Sequence, residues 1–366
     1  MATLRDGEVA GSNIPIVDIQ PLLGGVGTFG TGEAVGRVVK EIREACLKSG
    51  FFYVKNHGID KKIIESLEEL AHNFFNLPLE LKNKIHMKHS GLHWKGYFAV
   101  GEELTSGKPD NKEGLYFGEE YSIESEPVLK KWAMHGPNQF PEPYDVWKTA
   151  VLRYMDALTN LGHIIMSAIA LSLELPSDFF EKKFCNPKAF TPFRIFRYPG
   201  GSDNFGVGRH TDYGVLTILK QDDVGGLQVE DRVTKKWVDA PPIKDTFVVN
   251  IGDMMQLWTD GLYKATPHRV KPALNRDRVS MPFFFDPAFD TKILVEDIRV
   301  ARTSTSSGDR DAKTVKLTNA SGETDKELSK EKAEAIRYGD YITHKVAGVF
   351  PELFKDSFGV DVLRTL

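Results

Sequence analysis

From Phe190 onward the chain is written in short runs rich in β-branched and aromatic residues, at 192–198, 214–220, 226–230, 246–251, 254–258 and 278–285, divided by Gly, Asp and Pro turns. Strands this short and this regularly interrupted build an antiparallel sandwich or jelly roll rather than a parallel sheet. The fold class expected is therefore mainly β with flanking helices. Its core is a double-stranded β-helix (a jelly roll, cupin-like) preceded by an α/β N-terminal region.

The rest of the chain supplies the flanks. Ile14–Asp18 reads as an opening strand. Val35, Val38, Val39, Ile42 and Cys46 recur at helical spacing, which predicts an amphipathic helix over 33–48. Gly50 ends it, Phe51–Val54 reads as a buried strand, and a second helix runs through Ile63, Leu67, Leu70 and Phe75. Pro78 opens a short charged helix reaching Lys84. Between Gly91 and Gln139 the pattern breaks into Gly, Pro, Lys and Glu interrupted by aromatics, and a segment of that length is more often functional than idle. A long helix is expected from Asp145 to Leu173, a polar loop over 301–332 and a last helix over 333–349. The resulting division is 1–140 (N-terminal α/β), 141–190 (support helix), 191–295 (jelly-roll core) and 296–366 (polar loop and C-terminal helix).

A formal net charge of −4 gives no global basic field and argues against nucleic acid as a partner. Two cysteines, Cys46 and Cys185, stand in no metal-ligand spacing and suit free thiols in a reducing compartment. Met1 to Asn13 has no apolar run, and no stretch reaches the length of a membrane span, so a cytoplasmic location without membrane contact is the expectation.

His210-Thr211-Asp212, followed by His268, carries the chemistry. In an extended segment residues i and i+2 face the same side, so His210 and Asp212 can converge on one ion while Thr211 turns away. His268 must arrive from a distant strand. Two imidazoles and a carboxylate on one side of a metal suit Fe(II) and leave the opposite side open. Either motif alone is weak in a chain with ten histidines; their conjunction at strand mouths is what points to metal. Ten residues beyond His268, Arg278, Ser280, Pro282 and Phe284 share a strand face by parity, as do Arg194, Phe196 and Tyr198. A guanidinium with a neighbouring hydroxyl can hold a carboxylate through parallel hydrogen bonds, with Tyr198 as a third contact.

Several stretches match a family. They include Phe196-Arg197-Tyr198-Pro199, Gly208 to Gly214, Gly225-Gly226-Leu227-Gln228-Val229, Val249-Asn250-Ile251-Gly252-Asp253, Lys264 to Val270 and Arg278-Val279-Ser280. Gly50 to Gly58, Phe75-Asn76-Leu77-Pro78 and Lys112 to Gly118 extend the match toward the N-terminus. Over residues 14 to 295 the chain resembles the isopenicillin-N-synthase-like 2-oxoglutarate/Fe(II) dioxygenases, nearest to thymine-hydroxylase-like and plant or fungal small-metabolite oxygenases. The resemblance implies an oxidoreductase using Fe(II), O2 and 2-oxoglutarate, the last decarboxylated to succinate and CO2 while a small molecule is hydroxylated, desaturated or cyclised. It implies His210, Asp212 and His268 as iron ligands, with Arg278, Ser280 and Tyr198 on the cosubstrate. It further implies Arg194, Tyr213 and Phe284 at the substrate, Arg194 suiting an anionic one. The segment 92–120, with Tyr97 and Tyr116, and the C-terminal 290–366 are expected to shape the pocket entrance. Phe196 stands where many plant members have Asn, and Lys95 where Arg is usual.

Two other readings share these motifs. One is an iron oxidase of the isopenicillin N synthase type, independent of 2-oxoglutarate, with Arg278 and Ser280 on a substrate carboxylate. The other is a catalytically silent binding protein, which has no need to keep four polar groups facing inward.

Overall fold

The computed structural model describes residues 14–24, 32–201, 204–271, 273, 275–292, 314–318, 324–329 and 337–358. Its strands are β1 (Ile16–Asp18), β2 (Phe51–Lys55), β3 (Gly96–Phe98), β4 (Glu113–Phe117), β5 (Phe193–Tyr198), β6 (Val207–His210), β7 (Leu216–Gln221), β8 (Leu227–Glu230), β9 (Trp237–Asp239), β10 (Thr246–Ile251), β11 (His268–Val270), β12 (Arg278–Phe285), β13 (Thr314–Thr318) and β14 (Thr324–Ser329). The helices are α1 (Glu33–Lys48), α2 (Lys61–Phe75), α3 (Leu79–Lys82), α4 (Glu126–Leu129), α5 (Tyr144–Ser172), α6 (Phe179–Phe184), α7 (Asp253–Trp258), α8 (Tyr338–Val349) and α9 (Pro351–Phe358).

Eight strands form a major sheet in the order β1-β2-β10-β7-β12-β5-β4-β3, and four form a minor sheet in the order β6-β11-β8-β9. Within the eight-stranded sheet only β1 and β2 pair parallel. The strands of the N-terminal region thus flank the major sheet on both sides of its core strands.

β12 has opposite faces with opposite jobs. Its odd-numbered residues Val279, Met281, Phe283 and Phe285 are buried apolar groups, and α5 lies behind this strand and β7. The even-numbered Arg278, Ser280, Pro282 and Phe284 line the internal cavity. α5 presents Val151, Met155, Leu158, Ile165 and Ile169 as buried residues, a spacing that keeps one stripe on the sheet. α1 and α2 pack against α5 in turn, burying Val38, Ile42 and Cys46 from the first and Ile64, Leu67 and Phe74 from the second.

Some expectations are corrected. The apolar run 254–258 is helix α7, not a strand. A five-residue apolar run does not distinguish the two, and the turn that follows Gly252 sets Asp253 at a helix start, where its acidic side chain is favourable. The irregular span 91–139 contributes β3 and β4, which extend the major sheet. β6, β9 and β11, three or four residues each, were too short for their pattern to stand out. Within the expected polar loop, β13 and β14 pair antiparallel, while 301–313, 319–323 and 330–332 lie outside the described residues. The helix expected over 333–349 begins at Tyr338 as α8 and is not the last, since α9 follows it; 333–336 lie outside the described residues. Among the described residues no helix is long and apolar enough to cross a membrane.

α5 approaches the sheet closely at Gly162, where an added Cβ would overlap the Phe285 ring. Gly162→Ala is expected to destabilise the chain by about 1–3 kcal/mol through overpacking, read as a lower denaturation midpoint. An unchanged or raised midpoint would contradict this packing.

Candidate metal centre and substrate cavity

Antiparallel pairing of β6 with β11 sets His210 directly opposite His268. Their ring centroids are 4.2 Å apart. Asp212 follows in the turn after β6, its Oδ1 standing 3.6 Å from Nε2 of His268 and 3.9 Å from Nε2 of His210. The ligand atoms of all three lie within 4.8 Å of one another, close enough to share one ion.

Each ligand is oriented from behind. Nδ1 of His210 lies 2.9 Å from the Gly208 carbonyl, and Nδ1 of His268 lies 3.1 Å from that of Thr266. A carbonyl only accepts, so the ring proton belongs on Nδ1 and Nε2 keeps its lone pair for a metal. Asp212 Oδ2 accepts from Asn250 Nδ2 at 2.6 Å and from Thr217 Oγ1 at 2.5 Å, which leaves Oδ1 turned to the histidines. Burial, reinforced by His268, pushes His210 well below the usual imidazole range. Burial alone would raise Asp212, but His268, His210 and the two donors outweigh it and hold the carboxyl below its ordinary value. Neutral imidazole and ionised carboxylate are the forms that bind a divalent ion.

These residues open onto a cavity of about 130 Å³. At one end, on β12, Arg278 is 1% exposed. Its Nη2 donates to Gln221 Oε1 at 2.9 Å, while Nε and Nη1 have no hydrogen-bond partner. No carboxylate among the described residues lies within ion-pair distance of it. An unpaired buried guanidinium is costly, and an incoming carboxylate would satisfy both orphaned donors. Tyr198, register partner of Arg278 on β5, places its ring 5.0 Å from the guanidinium carbon, and Ser280 lines the same wall. The donor sets therefore fit a divalent iron and a dicarboxylate.

Arg194, Tyr213, Phe284 and Tyr116, expected at the substrate, all line the cavity. The Arg194 guanidinium lies 3.7 Å over the Tyr116 ring and 5.0 Å from that of Phe284. Tyr97 is the exception. It is buried on the edge strand β3, donates its hydroxyl to Glu113 Oε2 at 2.6 Å, and is not among the lining residues. Glu113 also meets Lys82 at 2.7 Å, so Tyr97 belongs to a structural ion-pair cluster. Phe196, opposite Ser280 in register, fills its position with a ring 4.9 Å from the Lys112 ammonium. Lys95 donates to the carbonyls of Glu119 and Gly136, a structural tie.

Parts of the segments 92–120 and 290–366 do reach the cavity, but sequence reasoning did not name Glu103, Lys112 or the α8 residues Ile342, Val346 and Val349 within them, nor Met134 and Asp286 elsewhere, all of which line it. The signal for α8 was present in its i, i+4, i+7 spacing. For Glu103 and Lys112 there was none, since a charged residue in an irregular segment reads as solvated.

Residues 190–287 match the profile of the 2OG-Fe(II) oxygenase superfamily, and residues 14–143 that of the N-terminal region of non-haem dioxygenases in morphine synthesis. A probable iron/ascorbate oxidoreductase of Dictyostelium discoideum is 41% identical over 93% of this chain and 95% of its own length. A homoarginine-6-hydroxylase of Glycine max is 37% identical over 80% of this chain and 91% of its own. A Neurospora crassa protein, solved in complex with alpha-KG and 5-formyluracil, superposes with a TM-score of 0.69 at 24% identity. That alignment covers 92% of this chain and 96% of that one, a likeness of fold.

Asp286, at the end of β12, accepts from the Val215 amide at 2.9 Å, and burial pushes its carboxyl up to about 7. A folded-state value above the ordinary 3.8 means that stability is full below about pH 4 and is lost as pH rises through about 7. Asp286→Asn, isosteric and uncharged, is expected to abolish that decline, on the order of 3–5 kcal/mol. Denaturation midpoints of the two proteins that track in parallel from pH 4 to 7 would contradict this.

Proposed function

This chain belongs to the 2OG-Fe(II) oxygenase superfamily, and from that premise we propose that His210, Asp212 and His268 hold the iron while Arg278, Ser280 and Tyr198 clasp the distal carboxylate of 2-oxoglutarate. The observation that carries this reading is Arg278, a buried cation with two unsatisfied donors in the same cavity as three convergent metal-ligating atoms.

When bound, iron and 2-oxoglutarate together activate O2 and supply the oxidant, with 2-oxoglutarate leaving as succinate and CO2. The chain's own residues do the positioning. Asn250 and Thr217 fix one oxygen of Asp212 so that the other faces the ion. The carbonyls of Gly208 and Thr266 hold both imidazoles with Nε2 inward. The Arg278 fork sets the keto-acid's orientation by gripping its far end, and Leu219, Leu227 and Val207 exclude water around it.

The substrate is a small metabolite. Arg194 supplies an anion-binding group, and Tyr213 and Phe284 supply aromatic surface, so we propose a small molecule bearing a carboxylate or comparable anionic group. The soybean relative is named for hydroxylating homoarginine, itself a small carboxylate. Two buried free thiols fit a reducing compartment, which supports a cytosolic setting, and the net charge of −4 favours neither nucleic acid nor an anionic membrane as partner.

One succinate is expected per substrate oxidised; oxidation without succinate would favour the oxidase chemistry instead. His210→Ala should fall well below the parent's one iron per chain, and equal iron content would remove His210 from the ligand set. Arg278→Met should weaken 2-oxoglutarate by about 2–5 kcal/mol, roughly 30-fold to several thousand-fold, with iron content preserved. An unchanged affinity would contradict the proposed clasp.

A further inference from the structure

One wall of the cavity carries charges that no ion pair among the described residues matches, although the field of Arg194 reaches the buried Asp286. Arg194 has no carboxylate within ion-pair distance among the described residues, although it lines a buried cavity between two aromatic rings. On the other side of Tyr116 the imbalance has the opposite sign. The Tyr116 hydroxyl donates to Glu103 Oε1 at 2.6 Å. Lys112 Nζ lies 3.0 Å from Glu103 Oε2 and 2.7 Å from Asp110 Oδ2, and Thr105 donates to the same oxygen of Asp110. All of these side chains are buried, Glu103 at 6% exposure. One ammonium thus faces two carboxylates, and Glu103, Lys112 and Arg194 all line the cavity.

An unpaired buried charge is costly, and a pair of opposite ones left unmatched at fixed separation calls for a ligand that brings both complements. Arg194 and Glu103 both meet Tyr116, the guanidinium on its face and the carboxylate at its hydroxyl. The two ionic groups of an α-amino acid, joined through one carbon, suit poles that close. Carboxylate oxygens have four lone-pair sites between them, so Glu103 can accept from an ammonium while keeping Tyr116 and Lys112.

Resting on the reading of the cavity as an iron and 2-oxoglutarate site, we propose that its substrate is a zwitterionic α-amino acid, held by its carboxylate on Arg194 and by its ammonium on Glu103. Tyr116 is the spacer that sets the distance between the two contacts. Glu103 is then a specificity-determining residue: it rejects the same molecule once its nitrogen is acylated, because a neutral amide leaves the carboxylate without its counter-charge.

The test uses the full chain loaded with Fe(II) and 2-oxoglutarate under anaerobic conditions, titrated calorimetrically with each of the twenty proteinogenic L-amino acids and its N-acetyl derivative. The metal-to-ligand absorbance band of the loaded protein is recorded first. Its failure to form would sink the underlying reading of the site, separately from the substrate class. With the band present, at least one free amino acid is expected to bind tenfold or more tightly than its N-acetyl form. In Glu103→Gln, which still accepts from Tyr116 and leaves Lys112 paired with Asp110, that preference should collapse to within about twofold, because affinity for the free form falls. No binding by any amino acid, equal binding of free and acetylated forms, or a preference that survives in Glu103→Gln would each overturn the proposal. The analogue comparison in the parent protein stands even if the variant does not fold.

Discussion

Antiparallel pairing between β6 and β11 is the constraint on which the functional end depends. It alone brings His210 and His268, far apart in the chain, into direct opposition, and the turn after β6 then has only to deliver Asp212. A one-residue slip in that register would put the two imidazoles on opposite faces of the minor sheet. The pairing is held from several sides: β8 pairs β11 on its far edge, the Phe51 ring stands edge-on to His268 at 5.3 Å, and the Asp253 amide donates to the Asp212 carbonyl. Each of these contacts comes from a different element, so the centre is built by the whole fold rather than by a local loop.

A second theme is buried charge. Arg278, Arg194, Glu103, Lys112, Asp212 and Asp286 all border one cavity, an arrangement that an apolar core of equal volume would avoid. Some of that charge is balanced internally, as when Asn250 and Thr217 neutralise one lone-pair face of Asp212. Arg278 is not balanced among the described residues, and the carboxylate proposed for its two orphaned donors would satisfy both. The polarity of the cavity is a cost of folding that bound metal and small molecules offset.

Much of this was legible before the fold was known because strand periodicity is rigid. The parity of β12 and β5 placed Arg278, Ser280, Phe284, Arg194 and Tyr198 on one face, and all five line the cavity. Parity fails where geometry is not extended or where length is short. Met254, Met255 and Trp258 are buried residues of a helix that an apolar run cannot tell from a strand, and β11 is three residues long. Tyr97 fell outside the cavity because its strand lies at the sheet edge, where Glu113 and Lys82 claim it. Glu103 and Lys112 were invisible for a different reason: their burial depends on one another and on Tyr116, a reciprocal pairing across an irregular segment that no periodicity records.

The central claim is that three protein ligands leave an iron open to a keto-acid whose far end Arg278 holds. Anaerobic titration of the Fe(II)-loaded protein with 2-oxoglutarate, followed by its metal-to-ligand absorption, tests it most directly. A saturable band at one equivalent, abolished in Asp212→Ala, is the result this account predicts. Iron that binds stoichiometrically yet develops no such band at any 2-oxoglutarate concentration would contradict it.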